Sequence, residues 1–152
     1  MPTTEKRGEP DIKIGGLNIW VHGRQFPDSQ TYWDSNVLNV TAEYIGRDSR
    51  VLAHGSFIHL GYLAGFLAAL KAVHSELKGE ALLDCVEPNL RVVIAAKSLG
   101  HLEVKTTITA DQMTESHVYK EQMDQTFLPP ILEDLRKVLA LYPVRESGKV
   151  PL

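Results

Sequence analysis

The sequence predicts an α+β domain: a mostly antiparallel sheet of about six to seven strands with two helices packed on one face, in the order β-β-β-α-β-β-β-β-α. Three observations predict it. Two stretches, from Leu60 and from Ile131, carry apolar residues at the three-and-four spacing of one buried helix face. The remainder is divided into short runs of β-formers joined by brief turn sequences, which favours antiparallel pairing. The 152 residues, 43% hydrophobic and 23% charged, suffice for one core. A domain of this size buries roughly 70% of its unfolded surface and needs no metal or disulfide.

Residues 1–10 are polar with two prolines and residues 146–152 are unpatterned, so both are expected to be flexible tails around a single domain at 11–145. Ile12 and Ile14, then Leu17, Ile19 and Val21, alternate in two phases about Gly15-Gly16. That pattern reads as a strand pair or one bulged strand, ending near Gly23. Val37 to Ile45 and Arg50 to Ile58 form a hairpin about the turn Gly46-Arg47-Asp48-Ser49. From Leu60 the period becomes helical through Leu63, Phe66, Leu67, Leu70, Val73 and Leu77, and Gly79 fits a C-terminal cap. Gly61 and Gly65 each cost this helix up to about 1 kcal/mol against alanine, which close approach to the sheet would offset.

Extended runs follow at Ala81–Val86, Leu90–Ala96, Leu102–Thr109 and Val118–Met123, with Ser98-Leu99-Gly100-His101 as a hairpin turn. Pro129 and Pro130 mark the first turn of the closing helix, where amides have no intrahelical partner. Asp124 or Thr126 stands near its cap, and Pro143 stops it. Cys85, in an apolar run, is expected to be a core thiol, and a single cysteine permits no internal disulfide.

Sixteen basic and nineteen acidic residues give a net charge of -3, which supplies no basic field for a nucleic acid. No apolar stretch is long enough for a membrane span and no signal-like segment opens the chain, so a cytoplasmic location is expected. Catalytic patterns are missing. The six histidines show no His-Glu-x-x-His pair for zinc, and neither Gly-x-Ser-x-Gly nor Gly-x-x-x-x-Gly-Lys occurs. No catalytic residue, metal site or cofactor is therefore assigned. His54 and His59 straddle a strand-to-helix junction and read as structural or surface residues; with a carboxylate in a cleft they would instead indicate a hydrolase.

The stretch Gly23 to Asn36 packs three aromatics and two acids into a turn-rich run, which suits either packing or partner recognition. Tyr32 and Trp33 are adjacent, so in an extended segment their rings point to opposite sides. Trp20, in an alternating strand, is expected in the core, and Phe26 before Pro27 closes the sheet edge. Turn or capping bonds explain Asp28 and Asp34, and solvent exposure explains Glu133 and Asp134.

Three blocks occur in order: Gln25-Phe26-Pro27-Asp28 leading to Tyr32-Trp33-Asp34-Ser35-Asn36 and Leu38-Asn39-Val40; Glu87-Pro88-Asn89-Leu90; and Asp124-Gln125-Thr126-Phe127-Leu128 with the helix end Tyr142-Pro143-Val144-Arg145. In these the chain resembles the WapI family of bacterial immunity proteins, across about residues 13–145. It departs from the family pattern at Ser35, where a glycine is usual, and at His59-Leu60-Gly61, which lacks polar capping residues. The resemblance implies a small, non-enzymatic cytoplasmic protein that binds and neutralises a cognate toxin domain. Tyr32, Trp33 and Asp34 are the candidate partner-binding residues, and an exposed edge strand could pair two copies as a homodimer. The alternative is a small-ligand-binding or regulatory module with a pocket near Trp20, Trp33 and His22.

Overall fold

The structure, a computed structural model, describes residues 8–146. Its strands are β1 (Ile12–Ile14), β2 (Leu17–Arg24), β3 (Val37–Ile45), β4 (Arg50–His59), β5 (Glu80–Leu83), β6 (Leu90–Ala96), β7 (His101–Ile108) and β8 (Val118–Asp124). Its α-helices are α1 (Tyr32–Ser35), α2 (Leu60–Glu76) and α3 (Leu128–Leu141). The α+β class is as the sequence predicts. The strands, however, form two four-stranded antiparallel sheets, β1-β2-β3-β4 and β5-β6-β7-β8, in place of one larger sheet. They number eight, and the one-turn α1 adds a helix. Of the expected tails, 1–7 and 147–152 lie outside the described residues.

One apolar cluster joins everything. It takes Ile12, Ile14, Leu17 and Ile19 from the first sheet, Ile94, Leu102 and Val104 from the second, and Leu63, Phe66, Leu70, Ile131, Leu132 and Leu135 from the two long helices. Helix α2 contacts β5 and α3, and α3 contacts β1. Each helix therefore buries one stripe, as its apolar spacing requires.

The sheets are also joined by side chains. The Gly15-Gly16 turn between β1 and β2 sits on Glu121 of β8, whose carboxylate accepts the Gly16 N–H at 2.8 Å and the Tyr44 hydroxyl. Gly15 has a φ of +58°, which residues with a side chain rarely adopt, and a Cβ there would run into the Glu121 carboxylate. Tyr44 stacks on Tyr119 with centroids 3.9 Å apart and planes 12° from parallel, and the Tyr119 hydroxyl bonds Ser49 Oγ at 2.7 Å. Burial raises the Tyr44 pKa well above its ordinary value, and the bond to Glu121 adds to the shift.

Several local readings change. Helix α2 ends at Leu77, in the left-handed region at φ 55°, two residues before the glycine expected to cap it. Trp20 is half-buried and its indole N–H donates to the Gly8 carbonyl at 3.0 Å; it does not belong to the core. Phe26 is half exposed. Cys85 packs against the core, partly exposed. Asp134 is not purely solvent-facing: its carboxylate accepts the Lys13 N–H at 3.1 Å, covering a backbone donor on the edge strand β1. Pro129 and Pro130 do open α3, while Asp124 caps the preceding 3-10 turn through the Thr126 N–H at 2.8 Å.

Candidate functional site

Residues 32–35 form a helical turn, so the extended backbone used to place the Tyr32 and Trp33 rings does not hold. Thr31 Oγ1 accepts the Asp34 N–H at 3.2 Å, starting the single turn α1, and Ser29 Oγ bonds Thr31 in turn. Among the described residues, no such bond is accepted by the carboxylate of Asp28 or Asp34. The helical turn brings Tyr32 and Trp33 to the same side, both against His59: ring centroids lie 5.3 and 4.3 Å away. Tyr62, one turn into α2, completes the cluster at 5.4 Å from His59 and meets Trp33 edge-on at 5.9 Å.

His59 is the hub that sequence reading missed as a site residue. It ends β4, is 1% exposed, and caps α2 by accepting the Gly61 N–H at Nδ1, 3.0 Å away. A polar cap is thus present where the sequence suggested none. Because Nδ1 accepts, the ring is the neutral tautomer with its proton on Nε2, which is buried and meets no hydrogen-bond partner at full bonding geometry among the described residues. Burial lowers the His59 pKa, and the nearby Trp33 carbonyl only partly opposes this. The one sequence signal was a histidine immediately before a helix with glycine at its second position. The glycine makes room for the cluster: a Cβ on Gly61 would stand 2.6 Å from the Tyr32 hydroxyl, so a larger residue would displace that ring.

Asn36 fastens this turn to the end of the chain. It is fully buried; its Nδ2 donates to the carbonyls of Tyr32 (2.7 Å) and Arg145 (2.8 Å), and its Oδ1 accepts the Arg145 N–H at 2.8 Å. Arg24 donates to the carbonyls of Ser35 at 2.7 Å and Pro143 at 2.5 Å, and Arg145 to that of Pro27 at 2.5 Å. Burial, then repulsion from Arg145, lowers the Arg24 pKa. The first and last sequence blocks therefore meet in space. Ser35 needs no positive φ and is buried with its hydroxyl toward the Tyr32 carbonyl, so a glycine is not demanded there. The middle block is also a tie, since Asn89 Nδ2 donates to the Thr109 carbonyl at 2.9 Å.

What remains outward is narrow. Trp33 and Tyr62 are each 42% exposed, and Asp28 and Asp34 are exposed with no ion pair among the described residues. Two clefts of about 380 Å³ flank them, one lined by Phe26, Pro27, Asp28 and Asp34 and one by Tyr62, Gly65, Phe66, Leu82, Asp84 and Cys85. Neither is the pocket expected near Trp20, Trp33 and His22; His22 instead bonds Thr41 at 2.7 Å. His54 is exposed on the outer face of β4, so it joins no catalytic group with His59. Among the described residues no group of three or more His, Cys, Asp or Glu could hold a metal ion, and no helix is long and apolar enough to cross a membrane. Burial and the neighbouring Asp84 push the Cys85 thiol up, away from the reactive thiolate. The arrangement offers aromatic surface and carboxylates, which suit recognition.

Comparison with known proteins agrees with that chemistry. No curated protein matches the sequence. Among solved structures, a chain of the CdiA-CT/CdiI toxin and immunity complex from Enterobacter cloacae is similar at 12% identity, over 66% of this chain and 89% of that one, with a TM-score of 0.41. That likeness is too slight to transfer a residue or a role. The sequence itself matches the immunity protein WapI-like family over residues 11–143, nearly the whole described domain. The chain belongs to the immunity protein WapI-like family.

Proposed function

We propose that this immunity protein neutralises its cognate toxin domain by forming a stoichiometric, non-catalytic complex in the cytoplasm, with Trp33 and Asp34 as contacts and Tyr32 holding them in place. The carrying observation is the division of labour within one family block. Asn36 is buried and bonded to Arg145 and Tyr32 is only partly exposed against His59, whereas Trp33, although packed on the same His59 ring, keeps 42% of its surface in solvent and Asp34 is exposed. Exposed tryptophan on a rigid base is the residue type that most often dominates a protein interface, because its large ring is desolvated at little entropic cost.

The test mixes the purified chain with the toxin domain encoded beside its gene. A 1:1 complex by calorimetry, with toxin activity lost in proportion to occupancy, is expected. Trp33→Ala should weaken the complex by about tenfold or more, as loss of an interface anchor does. Inactivation of excess toxin by substoichiometric immunity protein would overturn the non-catalytic reading, and wild-type affinity in Trp33→Ala would move the interface elsewhere.

A further inference from the structure

We propose that the groove between the first turns of α2 and the end of β5 extends the toxin-binding surface, and that it receives an apolar side chain from a toxin segment flanked by Lys or Arg. This rests on the toxin-binding reading above. The groove holds about 380 Å³, with half-exposed Tyr62 and Leu82 as walls and buried Phe66 beneath. Tyr62 belongs to both surfaces, since its ring meets Trp33 edge-on at 5.9 Å while it also lines the groove. The aromatic patch and the groove are thus continuous.

Gly65 identifies which part of the groove is kept open. Glycine is unfavourable inside a helix, and Gly61 is explained by the Tyr32 hydroxyl against it. Gly65 has no such reason, because a Cβ there meets nothing within 4 Å. The expected close approach to the sheet does not occur at this position. Gly65 is exposed and lines the groove, so what its missing side chain admits is a partner that packs directly on the helix backbone.

Charge specifies the flanking residues. Asp34 and Asp84 border the combined surface without ion pairs among the described residues, and the nearby cations Arg24 and Arg145 are turned to backbone carbonyls. The unpaired charge at the rim is therefore acidic, and a partner with Lys or Arg beside its apolar anchor complements it.

The experiment titrates the wild type, Gly65→Ala, Gly65→Leu, Asp84→Asn and Trp33→Ala with the purified toxin domain of the neighbouring gene. Gly65→Ala should raise the melting temperature by about 2–4 °C while weakening toxin binding, an opposition of signs that a purely structural glycine does not give. Gly65→Leu should weaken binding by more than about tenfold, and Asp84→Asn should flatten the salt dependence of the affinity. Undiminished affinity in Gly65→Leu alongside weakened binding in Trp33→Ala overturns the groove alone. A wild type that binds no toxin domain removes both readings together.

Discussion

The protein has two aromatic clusters, and they are built to opposite ends. Tyr44 and Tyr119 stack face to face where the two sheets meet, with both hydroxyls bonded and a carboxylate beneath. Tyr32, Trp33 and Tyr62 instead converge at tilted angles on His59 and leave two of their rings 42% exposed. A closed stack joins two parts of one core, whereas an open cluster on a buried hub keeps apolar surface available while fixing its position. The closed cluster should therefore carry stability, and the open one should divide into inward residues that carry stability and outward residues that carry less.

The strongest attack on that division is Asn36→Ala. Its side chain supplies bonds to Tyr32 and Arg145 from a fully buried position, so removal strands several polar groups and should cost about 3 kcal/mol in urea denaturation. Glu121→Ala at the closed cluster removes the acceptor of the Gly16 N–H and the Tyr44 hydroxyl and should cost about 2 kcal/mol. Trp33→Ala should cost about 1–2 kcal/mol, less than Asn36→Ala, since 42% of the residue is already in water. A larger loss at Trp33 than at Glu121 would show that the open cluster is structural throughout.

How much of this the sequence disclosed depends on whether the cause was local. Val37 to Ile45 as a strand, Leu60 as a helix start and the two prolines opening α3 follow from propensity, period and the geometry of proline, and all three are found. The split into two sheets is not local. Alternation fixes which face a strand buries, but the same alternation serves one sheet or two, and the junction depends on Tyr44, Tyr119 and Glu121 meeting across 75 or more residues. Tyr32 and Trp33 were misplaced because side-chain direction was taken from an extended backbone, when Thr31 capping Asp34 makes the segment helical. His59 reads in the sequence as a structural or surface residue, but its particular role, capping α2 through the next-but-one amide, depends on a ring orientation that no residue pattern displays.

The smallest expected effect, and the most selective one, is on pH dependence. His59 has a lowered pKa in the fold, so between its unfolded value near 6.5 and the lower folded value the unfolded chain binds more protons. The stability it contributes is complete above about pH 6.5 and declines as pH falls below it. Tyr44 has a raised pKa, so its contribution is complete below its unfolded value of about 10 and declines as pH rises beyond that. The open cluster is thus the acid-sensitive one and the closed cluster the alkali-sensitive one. His59→Asn separates them, because asparagine can still accept the Gly61 N–H as a helix cap but does not titrate. Urea denaturation at pH 5 and pH 7 should show a smaller difference in His59→Asn than in the wild type, with the alkaline decline unchanged. An unaltered acid decline would assign that sensitivity to other groups and leave His59 as a cap alone.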